Sequence, residues 1–290
     1  MTKKLNLTKE VELTLAKDFH DNQANLSNNF RTFKIHQWIS FACFIVAFVS
    51  FGCTIAGFVY TALKHEDLWT VVDKFTNLSN WLVFAYCSIY TFFPNKRYFK
   101  EDFFLIATIT YIGFTFFGYN IILVGIGRYD GAYRGEFFDI FSDVWKHIVT
   151  PICFLIFGFY SMYERPWCIP KRKVKLLVVC MIVPTIYLIY LSTAPFWIQE
   201  PIRQFNKETG LKEILIIDNK IQYKTYSVYS WPTNTKDYPI AWLFIAVTYF
   251  VLLPAFILGS YSVWYIMWKH TYIYKLMEKD KENEARNIKK

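Results

Sequence analysis

Six stretches of this chain stay apolar for long enough to cross a bilayer, and that constrains the fold more than any other feature. They run over 38–62, 76–93, 103–125, 147–163, 174–194 and 240–268. A hydrocarbon core needs roughly 20 predominantly apolar residues per helix. Lipid offers no partner to backbone polar groups, so an uninterrupted apolar block must satisfy them internally as a helix. The expected fold is an all-α polytopic membrane protein with six transmembrane helices. The second and fourth blocks are short and gain length from Val71–Phe75 and Asp143–Lys146, which would place their polar openings inside the protein. Pro184 and Pro254 each remove a backbone hydrogen bond and are expected to kink the fifth and sixth helices.

The chain is 54% hydrophobic and 21% aromatic, and the apolar residues come in blocks rather than in alternation. One integral domain, 38–268, is therefore expected, between a cytoplasmic N-terminal arm, 1–37, and a basic cytoplasmic tail, 269–290. Within the arm, Glu10–Phe19 reads as a short surface helix. Nothing at the N-terminus resembles a cleaved signal peptide, so the first block is expected to act as an uncleaved anchor. The wealth of Lys, Asn, Ile, Phe and Tyr points to an AT-rich genome.

A net charge of +9 would raise nucleic-acid binding in a soluble protein. Here the basic residues sit in short loops and at both ends, where anionic lipid and the positive-inside rule account for them, so the expected partner is the lipid bilayer and not nucleic acid. Lys96, Arg97 and Lys100 in one turn and Arg165, Lys171, Arg172 and Lys173 in another mark the cytoplasmic side. The opposing loops hold Glu66, Asp67 and Asp73, then Asp130, Glu136, Asp139 and Asp143. Both termini are then cytoplasmic, in a multi-pass protein of the cell membrane.

The outer loop 195–239 contains Glu213–Ile217 and Ile221–Tyr229 around Asp218-Asn219-Lys220. Two β-rich runs about an Asp-Asn turn predict a small extracytoplasmic β-hairpin between helices five and six. Gly113, Gly118, Gly125 and Gly127 suit close helix packing. Trp197, Trp231 and Tyr238 suit an outer aromatic belt. Asp237-Tyr238-Pro239 starts the last helix, and Glu164 and Arg165 read as ordinary interface charges. Cys43, Cys53, Cys87, Cys153 and Cys180 lie in apolar blocks and Cys168 in a basic loop, with no disulfide or metal spacing.

Chemistry is suggested at two helix mouths. Thr76, Ser79 and Asn80 share one helical face at i, i+3 and i+4. They make either an interhelical hydrogen-bond patch or, with a base nearby, a threonine nucleophile. His147 is the candidate base. The topology puts it on the same, outer side as Thr76. Pro151, four residues on, has no N–H for the His147 carbonyl, so either the helix starts near Thr150 or it is distorted at His147. Asp139, Asp143 and His147 recur every four residues, so Asp143 would orient the imidazole or form part of a solvated acidic face. This set lacks a third strong metal ligand, and no metal or other cofactor is called for.

The six spans, Thr76-x-x-Ser79-Asn80 opening the second, His147-x-x-x-Pro151 opening the fourth and Tyr238-Pro239 entering the last resemble the androgen-induced protein family. The same pattern is also consistent with a mollicute-type branch of membrane proteins. The family resemblance implies a six-span membrane threonine hydrolase that cleaves fatty acid esters of hydroxy fatty acids. It places the nucleophile on Thr76 and the base on His147. Ser79 and Asn80 match the motif without an assigned step, and either would suit an oxyanion donor. The expected function is an integral membrane lipid-ester hydrolase acting on a fatty-acyl ester. The other reading is a non-enzymatic transporter or membrane interaction protein.

Overall fold

The computed structural model describes residues 33–63, 68–94, 102–126, 137–205, 212–229 and 231–288. The expected surface helix at Glu10–Phe19, the loop charges Glu66, Asp67, Lys96, Arg97, Lys100, Asp130 and Glu136, and Gly127 lie outside these residues. The chain is mostly helical, with several long apolar helices and small antiparallel strand pairs.

The helices are α1 (Ile35–Leu63), the single turn α2 (Trp69–Val72), α3 (Phe75–Phe92), α4 (Phe103–Phe117), α5 (Phe137–Val144), α6 (Thr150–Glu164), α7 (Lys173–Trp197), α8 (Ile240–Val247) and α9 (Leu253–Ile288). Among the described residues, five helical stretches are long and apolar enough to cross a membrane: Ile35–Leu63, Phe103–Ile121, Phe137–Glu164, Lys173–Trp197 and Ile240–Thr271. The 18-residue α3 carries Thr76, Asn77, Ser79, Asn80 and Thr91 on its buried face instead.

Among the described residues three π-helical segments extend or interrupt these helices: Gly118–Ile126 after α4, Trp145–Val149 between α5 and α6, and Thr248–Leu252 between α8 and α9. The last two end two residues before a proline, Pro151 and Pro254. A proline cannot donate to the carbonyl four residues back, and widening the preceding turn is one way to absorb the lost bond. Side chains fill the gap elsewhere. The Cys180 carbonyl, four residues before Pro184, accepts from the Tyr111 hydroxyl. The helix passes Pro184 without a change of type.

The chain divides into two compact units. The first comprises residues up to Ile55, Phe75–Cys180 and those from Phe256 on. In it α1 and α3 run antiparallel, joined by polar pairs in steady register: Ser40 with Thr91 (2.8 Å), Ser50 with Asn80 (2.9 Å) and Thr54 with Asn77 (3.3 Å). Phe44 and Phe51 stack on Phe84 beside this row. The core behind it is Val83, Tyr86, Leu105, Ile112, Phe154 and Phe157. Among the described glycines the tight contact is at Gly158, where an added Cβ would stand 2.7 Å from the Ile109 side chain. At Gly113 and Gly118 a Cβ would meet only ordinary contacts, 3.8 and 3.6 Å away, so these two glycines are not the close-packing points expected of them. Glycine suits packing only where another element crosses directly over it, and Ile109 of α4 does so at Gly158.

The second unit comprises Ala56–Lys74 and Met181–Ala255. Its strands are β1 (Gln199–Pro201), β2 (Arg203–Phe205), β3 (Lys212–Ile214), β4 (Ile216–Ile217), β5 (Lys220–Ile221) and β6 (Tyr223–Thr225). Asp218 and Asn219 both have positive φ, 51° and 57°, and turn β4 onto β5. The ladder then stops, in contrast to the single hairpin expected over 213–229. β3 pairs with β2, and β6 pairs with β1. Three backbone bonds close the junction between these ribbons: Ile202 N–H to Gln222 O, Gln222 N–H to Leu215 O, and Leu215 N–H to Ile202 O. Each chain segment changes partner at this point, so three short two-stranded arms replace one long one. A two-stranded ribbon is marginal alone, and the closed ring of bonds ties the three together. α8 begins directly after Pro239, which occupies its N-cap.

Candidate active site

The Pro151 break builds the first site. Thr150 N–H reaches back five residues to the Trp145 carbonyl, so Lys146 and His147 keep carbonyls with no donor four residues on. Two asparagine amides take them: Asn80 Nδ2 donates to Lys146 O at 3.1 Å and Asn120 Nδ2 to His147 O at 3.0 Å. The break is thereby held from α3 on one side and from the 118–126 segment on the other.

This arrangement presents the His147 ring to Thr76. The Thr76 Oγ1 to His147 Nε2 distance is 3.1 Å, and both residues are buried. His147 Nδ1 lies 3.0 Å from the Asp143 carbonyl oxygen. A carbonyl only accepts, so Nδ1 carries a proton; in the neutral imidazole Nε2 is then the bare nitrogen and the threonine hydroxyl donates to it. That is the polarity a threonine nucleophile and histidine base require. Asp143 acts on the imidazole through its main chain. Its carboxylate is 3.9 Å from Nδ1 and accepts at 3.3 Å from the Tyr119 hydroxyl. The Tyr119 ring lies flat on the imidazole, with centroids 3.4 Å apart and planes 8° from parallel.

Ser79 and Asn80 sit on the same face but have other partners. Asn80 donates to Thr76 O (2.8 Å) as well as Lys146 O, which uses both amide hydrogens. Ser79 donates to Thr76 O at 2.9 Å and therefore accepts from Thr115 at 2.7 Å. Neither has a hydrogen left over for an oxyanion, in contrast to the role expected of them. Sequence reasoning missed Tyr119 and Asn120; the available signal was a tyrosine and an asparagine interrupting an apolar block. Among the described residues no cluster of three or more His, Cys, Asp or Glu could hold a metal ion.

A second polar cluster in the same unit corrects the expectation for Arg165. It is buried, not an interface charge, and lies 3.1 Å from the carboxylate of the fully buried Asp102. Its guanidinium also donates to Ser161 (2.7 Å) and stands over the Tyr90 ring. Asp102 in turn caps α4 through Leu105 N–H and accepts from Tyr86, each at 2.8 Å. Burial pushes the Asp102 carboxyl above the usual carboxylate range, while the adjacent Arg165 charge opposes that shift. Burial likewise drives the Cys168 thiol up to about 12, again against Arg165.

In the second unit Asp73 gathers three tyrosines. Tyr190 donates to its carboxylate at 2.8 Å, Tyr226 donates to the same oxygen, and Tyr187 donates to its main-chain carbonyl at 2.7 Å. Burial raises the Asp73 carboxyl, and the bonds from Tyr226 and Tyr190 partly offset this. Oδ1 is buried with no partner among the described residues.

Comparison with known proteins gives relatives rather than a mechanism. Residues 140–270 match a family described as a protein of unknown function, DUF1600. The chain is similar to the uncharacterized protein MG452 of Mycoplasma genitalium, at 31% identity over 226 residues, 77% of this chain and 78% of that protein. It is equally similar to the MG452 homolog of Mycoplasma pneumoniae, at 31% over 218 residues, 74% of this chain and 80% of the relative. No solved structure matches the chain.

Proposed function

This chain belongs to the family of the mycoplasmal protein MG452, and from its buried Thr76–His147 pair we propose that it is an integral membrane hydrolase of fatty-acyl esters. The observation that carries this reading is the 3.1 Å contact between Thr76 Oγ1 and the bare Nε2 of His147. In the proposed reaction Thr76 Oγ attacks the ester carbonyl while Nε2 takes its proton. The tetrahedral intermediate collapses, and the imidazolium returns the proton to the departing alkoxide oxygen, releasing the alcohol. Water, deprotonated by the same nitrogen, then attacks the acyl-threonine ester and frees the fatty acid and the Thr76 hydroxyl.

Ser79 and Asn80 spend their side-chain hydrogens on the Thr76 and Lys146 carbonyls, so this reading gives neither of them the oxyanion. The resemblance to the androgen-induced family supports the same pairing and the same ester class. In this reading α3 is the sixth span, both termini are cytoplasmic, the strand arms lie outside, and the substrate arrives from the outer leaflet of the cell membrane.

The test is hydrolysis of a panel of fatty-acyl esters, including esters of hydroxy fatty acids, by the full chain purified in detergent micelles. Thr76→Ala and His147→Ala are each expected to lower kcat by about 10²–10⁴-fold. Variants as active as the parent would remove both roles. A parent with no activity would leave the transporter or interaction-protein reading in its place.

A further inference from the structure

We propose that Tyr119 and Asn120 are positioning residues that fix the plane and the tautomer of His147, an inference that rests on the threonine-hydrolase reading for its kinetic arm alone. Hydrogen bonds at the two ring nitrogens tolerate some tipping of the imidazole about its Cβ–Cγ bond. The contacts to Thr76 and to the Asp143 carbonyl both lie at ring nitrogens. The Tyr119 ring, parallel at 3.4 Å, covers one face and blocks that tipping. Asn120 acts one bond further back, by holding the His147 carbonyl that Pro151 leaves without a helical donor.

Two consecutive residues reach the same target because they lie in the π-helical segment Gly118–Ile126. Successive side chains there diverge by about 80° rather than the roughly 100° of an α-helix, so neighbours share a face more nearly. The Tyr119 hydroxyl adds a second anchor by donating to the Asp143 carboxylate, which stands one turn before His147.

The experiment pairs kinetics with a spectroscopic signature that needs no turnover. Full-length protein is labelled with ¹⁵N-histidine in detergent micelles, and the His147 ring is assigned by comparison with His147→Ala. In the parent, the nitrogen pair should read as one protonated Nδ1 and one bare Nε2. Tyr119→Leu and Asn120→Ala should turn this into an averaged, mixed-tautomer signal and lower kcat about tenfold or more, with KM within twofold. Tyr119→Phe, which keeps the ring, should restore the parent's signal and most of kcat.

A parent-like ring signal in both Tyr119→Leu and Asn120→Ala overturns the proposal. So does a Tyr119→Phe protein as impaired as Tyr119→Leu. If Tyr119→Leu does not fold, Asn120→Ala and Tyr119→Phe decide alone. If no form hydrolyses any ester, the hydrolase reading fails, and the ring signal still decides whether these two residues position His147.

Discussion

Removing either partner of the Asp102–Arg165 pair should be costly, and unequally so. Asp102→Leu strands a guanidinium that cannot shed its proton, in a site where it is buried among Tyr86, Tyr90 and Ser161. An uncompensated buried charge costs about 3–5 kcal/mol. The lost cap on Leu105 N–H adds about 1 kcal/mol, giving about 4–6 kcal/mol in all. Arg165→Leu leaves a carboxylate that keeps the Leu105 and Tyr86 bonds and can take up a proton. Its cost should be smaller, about 2–3 kcal/mol at neutral pH, because protonation limits the penalty. With Arg165 gone, the chief influence holding the Asp102 carboxyl down is lost and its folded-state value rises further. A group raised above its unfolded value binds its proton better when folded, so the deficit of Arg165→Leu should shrink as pH falls through that raised value. The double variant to Leu removes both charges and should lose only about 1–2 kcal/mol, since an apolar replacement of a buried ion pair is often close to neutral. The coupling between the two sites, the two single costs together less that of the double, should therefore be about 6 kcal/mol. Equilibrium unfolding of the four proteins by SDS in mixed micelles, at neutral and acidic pH, measures it. Additive single effects, or Arg165→Leu as the worse variant at both pH values, would refute the reasoning.

Three further outcomes are expected. The raised carboxyl of Asp73 should make the second unit most stable below the ordinary carboxylate value of about 4, with stability lost as pH rises through the higher folded-state value; Asp73→Asn should flatten that dependence in thermal unfolding followed between pH 4 and 8. Asn80→Leu leaves the Thr76 and Lys146 carbonyls without their amide, and should cost about 2 kcal/mol or more in the SDS titration, with a loss of ester hydrolysis that parallels the displaced His147 turn. Gly158→Ala sets a methyl 2.7 Å from Ile109 and should cost about 1–3 kcal/mol, whereas Gly113→Ala, with 3.8 Å of room, should be close to neutral by the same measurement.

The helical, membrane-type architecture was legible because hydropathy is a local property: a run of apolar residues must form its own hydrogen bonds wherever it lies. Pro151 signalled a break at His147 for an equally local reason, since a missing N–H orphans one known carbonyl. The Asp218-Asn219 turn was readable from residues that tolerate positive φ.

What lay beyond the sequence is what joins distant segments. Asp102 and Arg165 are 63 positions apart, and each alone looks like a charge at a membrane boundary. Only the packing of α4 against α6 buries them together. The strands beyond the turn chose partners at 199–205 rather than each other, because pairing depends on which edges the fold brings near. The Thr76 and His147 side chains were visible as odd residues at two helix mouths, 71 positions apart. Their meeting, the tautomer that makes His147 an acceptor, and the Tyr119 and Asn120 contacts that hold it were decided by tertiary structure. A hydrogen bond needs its two atoms at one place and angle, and no local pattern in the chain specifies that.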